Sequence, residues 1–338
     1  MRYGLNDTGP NLTDDRTGFP SQSTVLDELA ILQRVVSLYD IPDAQSCRFL
    51  SRGDADIYRV NSGDLRFYLK IYRPPHTHDA AEDEARFVHT LAEKEVSVVQ
   101  PIPLKSGDFS IVIKASEGIR PCLLFEEAPK GTFNEINSHN YENFGMSVAR
   151  LHNAADSINQ RFKLTDCYSE LQNPPMLKYI SDYVPDSDYE HIEALHARMR
   201  NRLGELSRSN PDFGLCHMDL VMSNVRMNEN NEVVFFDFGN AGYCWRIADM
   251  AVVKWVLKRQ QGDDEDLWRA FLSGYSKIRN LPDNLQDTLP WFEMWRVMNF
   301  LAGNAASLPL RLGLESMDGD FMGKGIEALN KIEEEIGS

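Results

Sequence analysis

Basic residues are in short supply, and this shortage excludes several classes of protein. The 338 residues include 35 Lys and Arg against 51 Asp and Glu, a formal net charge of −16. A chain this acidic lacks the general attraction to phosphate backbones and anionic lipid surfaces. No apolar run approaches the ~18 residues of a membrane span, and the first thirty residues lack the apolar core of a secretory signal. We therefore expect a cytoplasmic protein with no nucleic-acid or membrane partner.

Cysteine is also scarce, and two glycine-rich nucleotide motifs are missing. The cysteines are odd in number, far apart and without a Cys-x-x-Cys pair, which predicts reduced thiols, several in the core, rather than a disulfide framework: Cys47, Cys122, Cys167, Cys216 and Cys244. Neither Gly-x-x-x-x-Gly-Lys-Ser/Thr nor a full Rossmann fingerprint occurs, so neither of these phosphate-binding loops is expected.

The chain changes character twice along its length. Residues 1–23 are rich in Gly, Pro, Asn, Asp, Ser and Thr, and we expect a mobile tail there. An amphipathic helix is predicted over Thr24–Tyr39. Short strands with turn residues between them follow up to Glu126, interrupted by a helix predicted over Asp79–Glu95. This order is typical of a small antiparallel lobe.

Helical periodicity dominates from about residue 140 onward. One non-helical segment, Phe213–Gly242, interrupts it with short strand-like runs and turns. The pattern predicts an α+β fold of two lobes: a small sheet lobe over residues 24–128 and a larger, mainly helical lobe over residues 129–338.

The non-helical segment carries the strongest chemical signal. It contains His217-Met-Asp219, Asn224 five residues after Asp219, and then Asp237-Phe-Gly239. Phosphoryl transfer needs a carboxylate for the acceptor's proton, and oxygen ligands for Mg²⁺ between the nucleotide phosphates. An Asp can accept the proton, and an Asn five residues later can supply one oxygen ligand for Mg²⁺. The Asp of Asp-Phe-Gly can supply a second oxygen ligand. The alternative is that these residues only cap turns; His217 is expected to pack and fix the loop.

These motifs give the sequence a family resemblance. Together with Phe67-Tyr-Leu-Lys70-Ile-Tyr-Arg-Pro74 and Glu84-Ala-Arg-Phe87, the chain resembles the aminoglycoside phosphotransferase and choline kinase superfamily. It looks closest to a bacterial branch of stress-response Ser/Thr kinases and homoserine-kinase-like enzymes. The resemblance implies the bilobal protein-kinase-like fold, with ATP and Mg²⁺ as cofactors.

The resemblance also assigns roles to individual residues. It implies that Asp219 is the catalytic base and that Asn224 and Asp237 are magnesium ligands. Lys70 would contact the ATP phosphates, and Glu84 would hold Lys70.

The residues themselves leave alternatives to two of these roles. Lys70 stands mid-strand among apolar residues, where a charge is costly without a partner; on an edge strand it would point to solvent instead. Glu82–Glu84 is a run of three acids, of which one can face the strand. Phe87 and Leu91 lie three and seven residues after Glu84, which favours Glu84 as the inward acid.

Two further segments are candidates for contacts with the nucleotide: the loop Leu50–Ile57 and the link between the lobes. Leu50–Ile57 contains one glycine where three would be ideal, so Ser51 and the Gly53 backbone are candidate phosphate contacts and a plain hairpin is the alternative. The link follows a predicted apolar strand, and we expect the adenine against the backbone of Phe125, Glu126 and Ala128.

We expect an ATP- and Mg²⁺-dependent kinase that phosphorylates a hydroxyl of a small molecule. An amino alcohol, amino acid, sugar or aminoglycoside would fit, and the acidic composition favours a cationic acceptor. One rival is a Ser/Thr protein or peptide kinase, although Asp249 follows Asp237 too closely to leave room for a long activation segment. Another rival is a pseudokinase-like module that binds nucleotide or peptide without turnover.

Overall fold

The computed structural model describes residues 24–131, 136–172, 177–208, 211–228, 232–312 and 319–337. The predicted tail, residues 1–23, lies outside the described residues. No helix within the described ranges is both long enough and apolar enough to cross a membrane.

The first lobe in the described chain is an antiparallel sheet with two helices. Its elements are α1 (Glu28–Arg34), β1 (Ser46–Arg52), β2 (Ala55–Ser62), β3 (Leu65–Tyr72), α2 (His78–Glu93), β4 (Pro101–Ile102), β5 (Ile111–Ala115) and β6 (Gly118–Glu126). The sheet order is β1-β2-β3-β6-β4, and β5 also pairs with β6. The predicted order of strands and helix is confirmed, apart from β4, which is too short to give a sequence pattern.

Strand β3 shows how the sheet separates apolar from charged side chains. Leu69 and Ile71 are fully buried in the cluster on the α1 side of the sheet. Tyr72 packs in a second cluster with Ala81 and Ala85 of α2. Because side chains alternate along a strand, Lys70 shares the face of Tyr72 and points toward α2. Strand β3 lies between β2 and β6, so the edge-strand alternative for Lys70 is wrong.

Helix α1 is shorter than predicted. The Asp27 side chain caps it by accepting a hydrogen bond from the Ala30 N–H, and a 3₁₀ turn, Val36–Leu38, follows. Ile31 is buried, but Leu29 is 59% exposed. A single face of so short a helix can contact the sheet, so the broad apolar face predicted over Thr24–Tyr39 is wrong in extent.

The second lobe is mainly helical in the described chain. Its elements are α3 (Ser138–Asp156), β7 (Thr165–Asp166), α4 (Cys167–Gln172), α5 (Asp186–Gly204), β8 (Phe213–Cys216), β9 (Val225–Met227), β10 (Val233–Phe235), β11 (Gly242–Trp245), α6 (Arg246–Gln261), α7 (Glu265–Ser276), α8 (Leu285–Leu312) and α9 (Gly319–Gly337). Strands β9 and β10 form an antiparallel pair, and β11 lies between β7 and β8. The predicted α+β fold with two lobes is confirmed.

The segment between the lobes passes very close to β9. A Cβ atom on Gly131 would lie 1.6 Å from the carbonyl oxygen of Met227, so no other residue fits there without a shift of backbone. Strand β6 ends at Glu126 and α3 begins at Ser138. A boundary after residue 128 stays our proposal for where one lobe ends.

Two cysteines correct the expectation of reduced thiols. Cys167 and Cys244 form a disulfide, with Cα atoms 5.4 Å apart. Strands β7 and β11 run parallel, with Tyr243 opposite Asp166. The next residues in that register are Cys244 and Cys167, and the 77 residues between them hid the pairing. Cys47, Cys122 and Cys216 are free and buried, as expected.

Candidate active site

Three charged side chains from distant parts of the sequence meet beside the sheet. Lys70 Nζ lies 2.7 Å from Asp237 Oδ1 and 3.4 Å from Glu84 Oε1. The Tyr72 hydroxyl donates a hydrogen bond to Glu84 Oε2. Lys70 and Glu84 are buried, whereas the Asp237 side chain is half exposed. The cluster therefore presents one carboxylate to solvent.

The neighbouring acids of α2 have other partners. Glu82 accepts hydrogen bonds from the N–H groups of Phe109 and Ser110, at 3.0 and 2.7 Å. Asp83 accepts one from the Lys163 N–H. Glu84 is thus the acid of the run that lies against Lys70.

The cluster changes the pKa of each member. Burial acts to lower the pKa of Lys70, but the charges of Asp237 and Glu84 raise it well above its usual value. The positive charge of Lys70 lowers the pKa of Asp237. Burial raises the pKa of Glu84 more than Lys70 lowers it. Lys70 therefore stays charged, and Asp237 stays ionised.

The backbone at Asp237 and Gly239 makes space for this contact. Asp237 has φ 62° and ψ 65°, the left-handed region that few residues other than glycine adopt. A Cβ atom on Gly239 would lie 2.7 Å from Lys70 Nζ and 3.5 Å from Asp237 Oδ1. A side chain at 239 would displace the Lys70 ammonium group from its present contact with Asp237.

Asp219 lies in the loop between β8 and β9 with both carboxylate oxygens bonded. Asn224 Nδ2 donates to Asp219 Oδ2 at 2.9 Å, and Arg296 Nη2 donates to Asp219 Oδ1 at 2.7 Å. Asp219 remains 18% exposed. The structure therefore fixes the direction of this carboxylate while leaving it reachable from solvent.

A buried acid beneath this loop holds its backbone. Asp249 on α6 accepts hydrogen bonds from the N–H groups of His217 and Met218, at 2.9 and 2.6 Å. His152 Nε2 lies 3.0 Å from the same carboxylate. Met218 has φ 67°, so these bonds stabilise a strained turn immediately before Asp219.

The two histidines support the loop rather than face solvent. Burial lowers the pKa of His152 to about 4. His217 Nε2 lies 3.1 Å from the Phe236 carbonyl oxygen, and the Asp219 N–H donates to His217 Nδ1 at 3.3 Å. His217 thus connects the Asp219 loop to the Asp237 segment, in line with the packing role expected for it.

Asn224 and Asp237 lie at the same end of the β9–β10 pair. Val225 is paired with Phe235, and the Phe236 N–H donates to the Asn224 carbonyl oxygen at 3.1 Å. A carboxylate and an amide oxygen are the hard ligands that Mg²⁺ prefers. The half-exposed carboxylate of Asp237 and the amide oxygen of Asn224 are therefore suitable ligands for a magnesium ion.

The predicted phosphate loop is a tight hairpin joined to the same sheet. Register pairs Ser51 with Ile57 and Ile57 with Lys70, so Ser51 lies on the Lys70 face. The Gly53 N–H donates to the Ala55 carbonyl oxygen at 2.9 Å. The segment is thus a hairpin with Ser51 on the Lys70 face, and the contact of Ser51 and Gly53 with phosphate stays a prediction.

The predicted adenine contacts lie where β6 leaves the sheet. Phe125 pairs with Tyr68, and the Glu126 N–H donates to the Gln100 carbonyl oxygen at 3.0 Å. Within the described residues, no hydrogen bond uses the backbone of Ala128. Ala128 therefore keeps a donor and an acceptor that a ligand can use.

Arg296 is the contact that sequence reasoning missed. It lies on α8, 77 residues after Asp219, in the part of the chain for which the sequence predicts only helices. The signal was present, because a guanidinium among apolar residues needs an anionic partner. Nothing in the sequence identified Asp219 as that partner.

A family match decides what this arrangement belongs to. A family model described as a phosphotransferase enzyme family matches residues 46–281, well over half of the chain. The chain belongs to this family. The match includes Lys70, Glu84, Asp219, Asn224 and Asp237, and it confirms the expected superfamily and a kinase-type enzyme. Arg296 lies beyond the matched residues of this phosphotransferase.

Relatives extend the likeness to the whole phosphotransferase. An uncharacterised protein of Deinococcus radiodurans is 32% identical over 329 residues, covering 95% of this chain and 94% of its own. The structure of an amicoumacin kinase in complex with AMP-PNP, Ca²⁺ and Ami has a TM-score of 0.77 at 20% identity, covering 91% and 94% of the two chains. A microcompartment-associated aminopropanol kinase has a TM-score of 0.71 at 21% identity, covering 90% and 95%. The expected protein-kinase-like fold is thus confirmed.

Proposed function

We propose that this phosphotransferase moves the γ-phosphoryl group of ATP, with Mg²⁺, to a hydroxyl of a small molecule. The observation that carries the proposal is the pair of fixed carboxylates: Asp219 next to Asn224, and Asp237 next to Lys70. Asn224 and Asp237 lie at the same end of the β9–β10 pair, Asn224 bonds to Asp219, and Asp237 bonds to Lys70 of the first lobe. This is the charge arrangement that phosphoryl transfer requires.

Each residue has a distinct part in the proposed reaction. Asp219, oriented by Asn224, accepts the proton of the acceptor hydroxyl. Lys70, held by Glu84, binds phosphate oxygens. Asp237 and the Asn224 amide oxygen hold the magnesium ion, which supplies neutralisation of phosphate charge when it is bound.

The nucleotide is proposed to lie between the lobes. Its adenine would bond to the backbone of the link Phe125–Ala128, and its phosphates would lie under Ser51 and Gly53. The free backbone groups of Ala128 support the first contact, and the register of Ser51 with Lys70 supports the second. Hydrogen exchange with and without Mg²⁺ and ATP should show protection at both segments; protection confined to other regions would contradict this placement.

A short connection after Asp237 supports a small acceptor over a protein. A 3₁₀ turn, Phe238–Asn240, leads directly into β11, and α6 begins at Arg246. No long activation segment intervenes between these described residues to dock a peptide. The amicoumacin and aminopropanol kinases named above act on small molecules by their names, which supports the same class of acceptor.

A substrate panel tests the proposal. Purified protein with Mg²⁺ and ATP is supplied with amino alcohols, amino acids, sugars, aminoglycosides and peptides, and ADP formation is measured beside Asp219→Asn. We expect ADP formation above the rate with water for one small-molecule class, and its loss in the variant. ADP formation with peptides alone would favour the Ser/Thr kinase alternative. Tight ATP binding without turnover of any acceptor would favour a pseudokinase-like module.

The cytoplasm is the proposed compartment. The free thiols of Cys47, Cys122 and Cys216 support it, whereas the Cys167–Cys244 disulfide is unusual in a reducing compartment. Mass-tagged alkylation during denaturing lysis should label Cys167 and Cys244 together with the other three cysteines. Labelling confined to Cys47, Cys122 and Cys216 would contradict a reducing compartment.

A further inference from the structure

Arg296 donates a hydrogen bond directly to the proposed base, Asp219. Its Nη2 donates to Asp219 Oδ1 at 2.7 Å, while Asn224 occupies Oδ2. The side chain is 18% exposed, so it borders the space that an acceptor hydroxyl must enter to reach Asp219. Helix α8 thus contributes a cation to the point where the transfer takes place.

The guanidinium is held in place and has donors to spare. Its central carbon lies 5.0 Å from the centroid of the Trp255 ring, within cation–π range. Its Nε atom is buried and has no hydrogen-bond partner within the described residues. Arginine carries five N–H donors in a fixed fork, and Asp219 uses the Nη2 end of it. The Nη donors that Asp219 leaves unused suit a second anion.

The proposed reaction creates such an anion beside Arg296. The bond between the γ-phosphorus and the oxygen that bridges to the β-phosphate breaks, and its electron pair leaves on ADP. The acceptor oxygen forms the new bond to phosphorus, and its proton passes to Asp219. The negative charge on Asp219 is therefore neutralised while a phosphoryl group becomes attached to the oxygen next to it.

The acceptor oxygen and Arg296 both bond to the Asp219 carboxylate, so the guanidinium lies near the oxygen on which the phosphoryl group arrives. From this position its Nη donors can reach the phosphoryl oxygens. We propose that Arg296 is a catalytic residue that contacts the phosphoryl group during transfer. This inference rests on the proposed function and adds a cation from α8 to its machinery.

The first test uses water as the acceptor, so no substrate needs to be known. Mg²⁺-dependent ATP hydrolysis and ATP affinity are measured for the wild type, Arg296→Gln, Arg296→Lys and Arg259→Gln. Arg259 is the matched control, since its guanidinium also lies over Trp255, at 5.3 Å, but is exposed. Removing one stabilising donor from a transition state typically costs about 10²–10³ in kcat.

We expect Arg296→Gln to lose hydrolysis on that scale, Arg296→Lys to recover part of it, and Arg259→Gln to match the wild type. ATP affinity should change less than about threefold in all three. Unchanged hydrolysis in Arg296→Gln, or an equal loss in Arg259→Gln, would overturn the inference. An effect confined to the KM of a later-identified acceptor would assign Arg296 to acceptor recognition and would equally overturn it.

The second test separates contact with phosphate from positioning of Asp219. Arg296→Gln is combined with Asp219→Asn, and the residual rate is compared with that of Asp219→Asn alone. A residue that acts only through Asp219 adds no further loss, whereas contact with the phosphoryl group predicts at least a tenfold further loss. The Kd of ADP with Mg²⁺ and aluminium fluoride, a mimic of the transferring phosphoryl, should likewise rise in Arg296→Gln while that of ADP alone does not. Equal Kd values would contradict the contact. A wild type that neither binds nor hydrolyses ATP would instead refute the proposed function itself.

Discussion

Gly239 sets the space in which the Lys70 ammonium meets Asp237. Because a Cβ atom there would lie 2.7 Å from Nζ, Gly239→Ala must displace the ammonium group or the Asp237 loop. We expect the Kd for Mg²⁺ and ATP to rise at least about tenfold, or ~1.4 kcal/mol. Isothermal titration with ATP, with and without Mg²⁺, measures the change.

Gly303 on α8 provides a matched control, because a Cβ atom there has no neighbour within 4 Å. Gly303→Ala should leave ATP affinity unchanged, and it should raise stability by about 0.5–1 kcal/mol, since alanine favours a helix. If Gly239→Ala binds ATP as tightly as Gly303→Ala, the ammonium does not contact the nucleotide phosphates.

Residues differ in how far the sequence could predict their contacts. Glu84 and Lys70 were within reach, because helix and strand periodicity decides which face each side chain takes. Arg296 was not, because its partner Asp219 lies on an element 77 residues earlier. Periodicity predicts that a charged side chain points inward, but its partner is determined by the tertiary fold.

At the scale of elements, a buried acid connects three helices of the second lobe. Glu293 on α8 lies 2.9 Å from Lys258 Nζ of α6, which also lies 2.8 Å from Glu335 of α9. Burial raises the pKa of Glu293 from 4.5 to about 7. Between pH 4.5 and 7 the folded chain therefore holds a proton on Glu293 that the unfolded chain has lost, which stabilises the fold as pH falls.

His152 acts in the opposite direction. Its pKa falls from 6.5 to about 4 on folding, so between those values the unfolded chain binds the extra proton and acid destabilises the fold. The two effects oppose each other from pH 6.5 to 4.5. Glu293→Gln removes one of them, so acidification over that range should cost the variant roughly 2 kcal/mol more unfolding free energy than the wild type.

Urea denaturation at pH 6.5 and 4.5 measures this difference. The matched control is Glu334→Gln on α9, an exposed residue outside this ion-pair cluster, and this variant should respond to acidification as the wild type does. A Glu293→Gln variant with the same or a weaker loss on acidification would show that Glu293 is ionised throughout this range.

Elements were predicted best where one face is buried and the other is not. Strands β2 and β3 and helix α2 follow from alternation and helical spacing. Strand β11 was missed because the turn residues at Gly239 and Gly242 hide its start, and the Cys167–Cys244 pair follows from a strand register that no local pattern reveals. Helix α1 was predicted too long because apolar residues continue past its end.

At the scale of the whole molecule, Thr24 connects the beginning of the described chain to the first lobe by hydrogen bonds. Its N–H donates to Glu117 Oε1 at 3.1 Å, and its carbonyl oxygen accepts from Arg120 Nη1 at 3.1 Å and Arg52 Nη2 at 3.0 Å. A chain that begins at Thr24 keeps all three contacts. We expect its Tm and its ATP affinity to match those of the full chain, as measured by calorimetry.

A chain that begins at Glu28 loses these contacts and leaves the buried Arg120 and Glu117 without one partner each. Its Tm should fall by about 4 °C or more, since an unsatisfied buried charged group costs at least 1–2 kcal/mol. A comparable fall on truncation to Thr24 would show that residues 1–23 contribute to the stability of the fold.

At the same scale, the proposed transfer requires Asp219 and Asp237 to have different tasks. Asp219→Asn removes the proton acceptor but keeps its shape, so turnover should fall by about 10²–10⁴ while Mg²⁺-dependent ATP affinity survives. Asp237→Asn removes negative charge from the proposed metal site and from Lys70, so Mg²⁺-dependent affinity should fall together with turnover.

The decisive measurement is the Kd for ATP with and without Mg²⁺ for both variants, beside their turnover of a confirmed acceptor. We predict that Mg²⁺ tightens ATP binding in Asp219→Asn as in the wild type, and that it no longer does so in Asp237→Asn. The reverse pattern would exchange the two roles, and unchanged turnover in both variants would contradict phosphoryl transfer at this site.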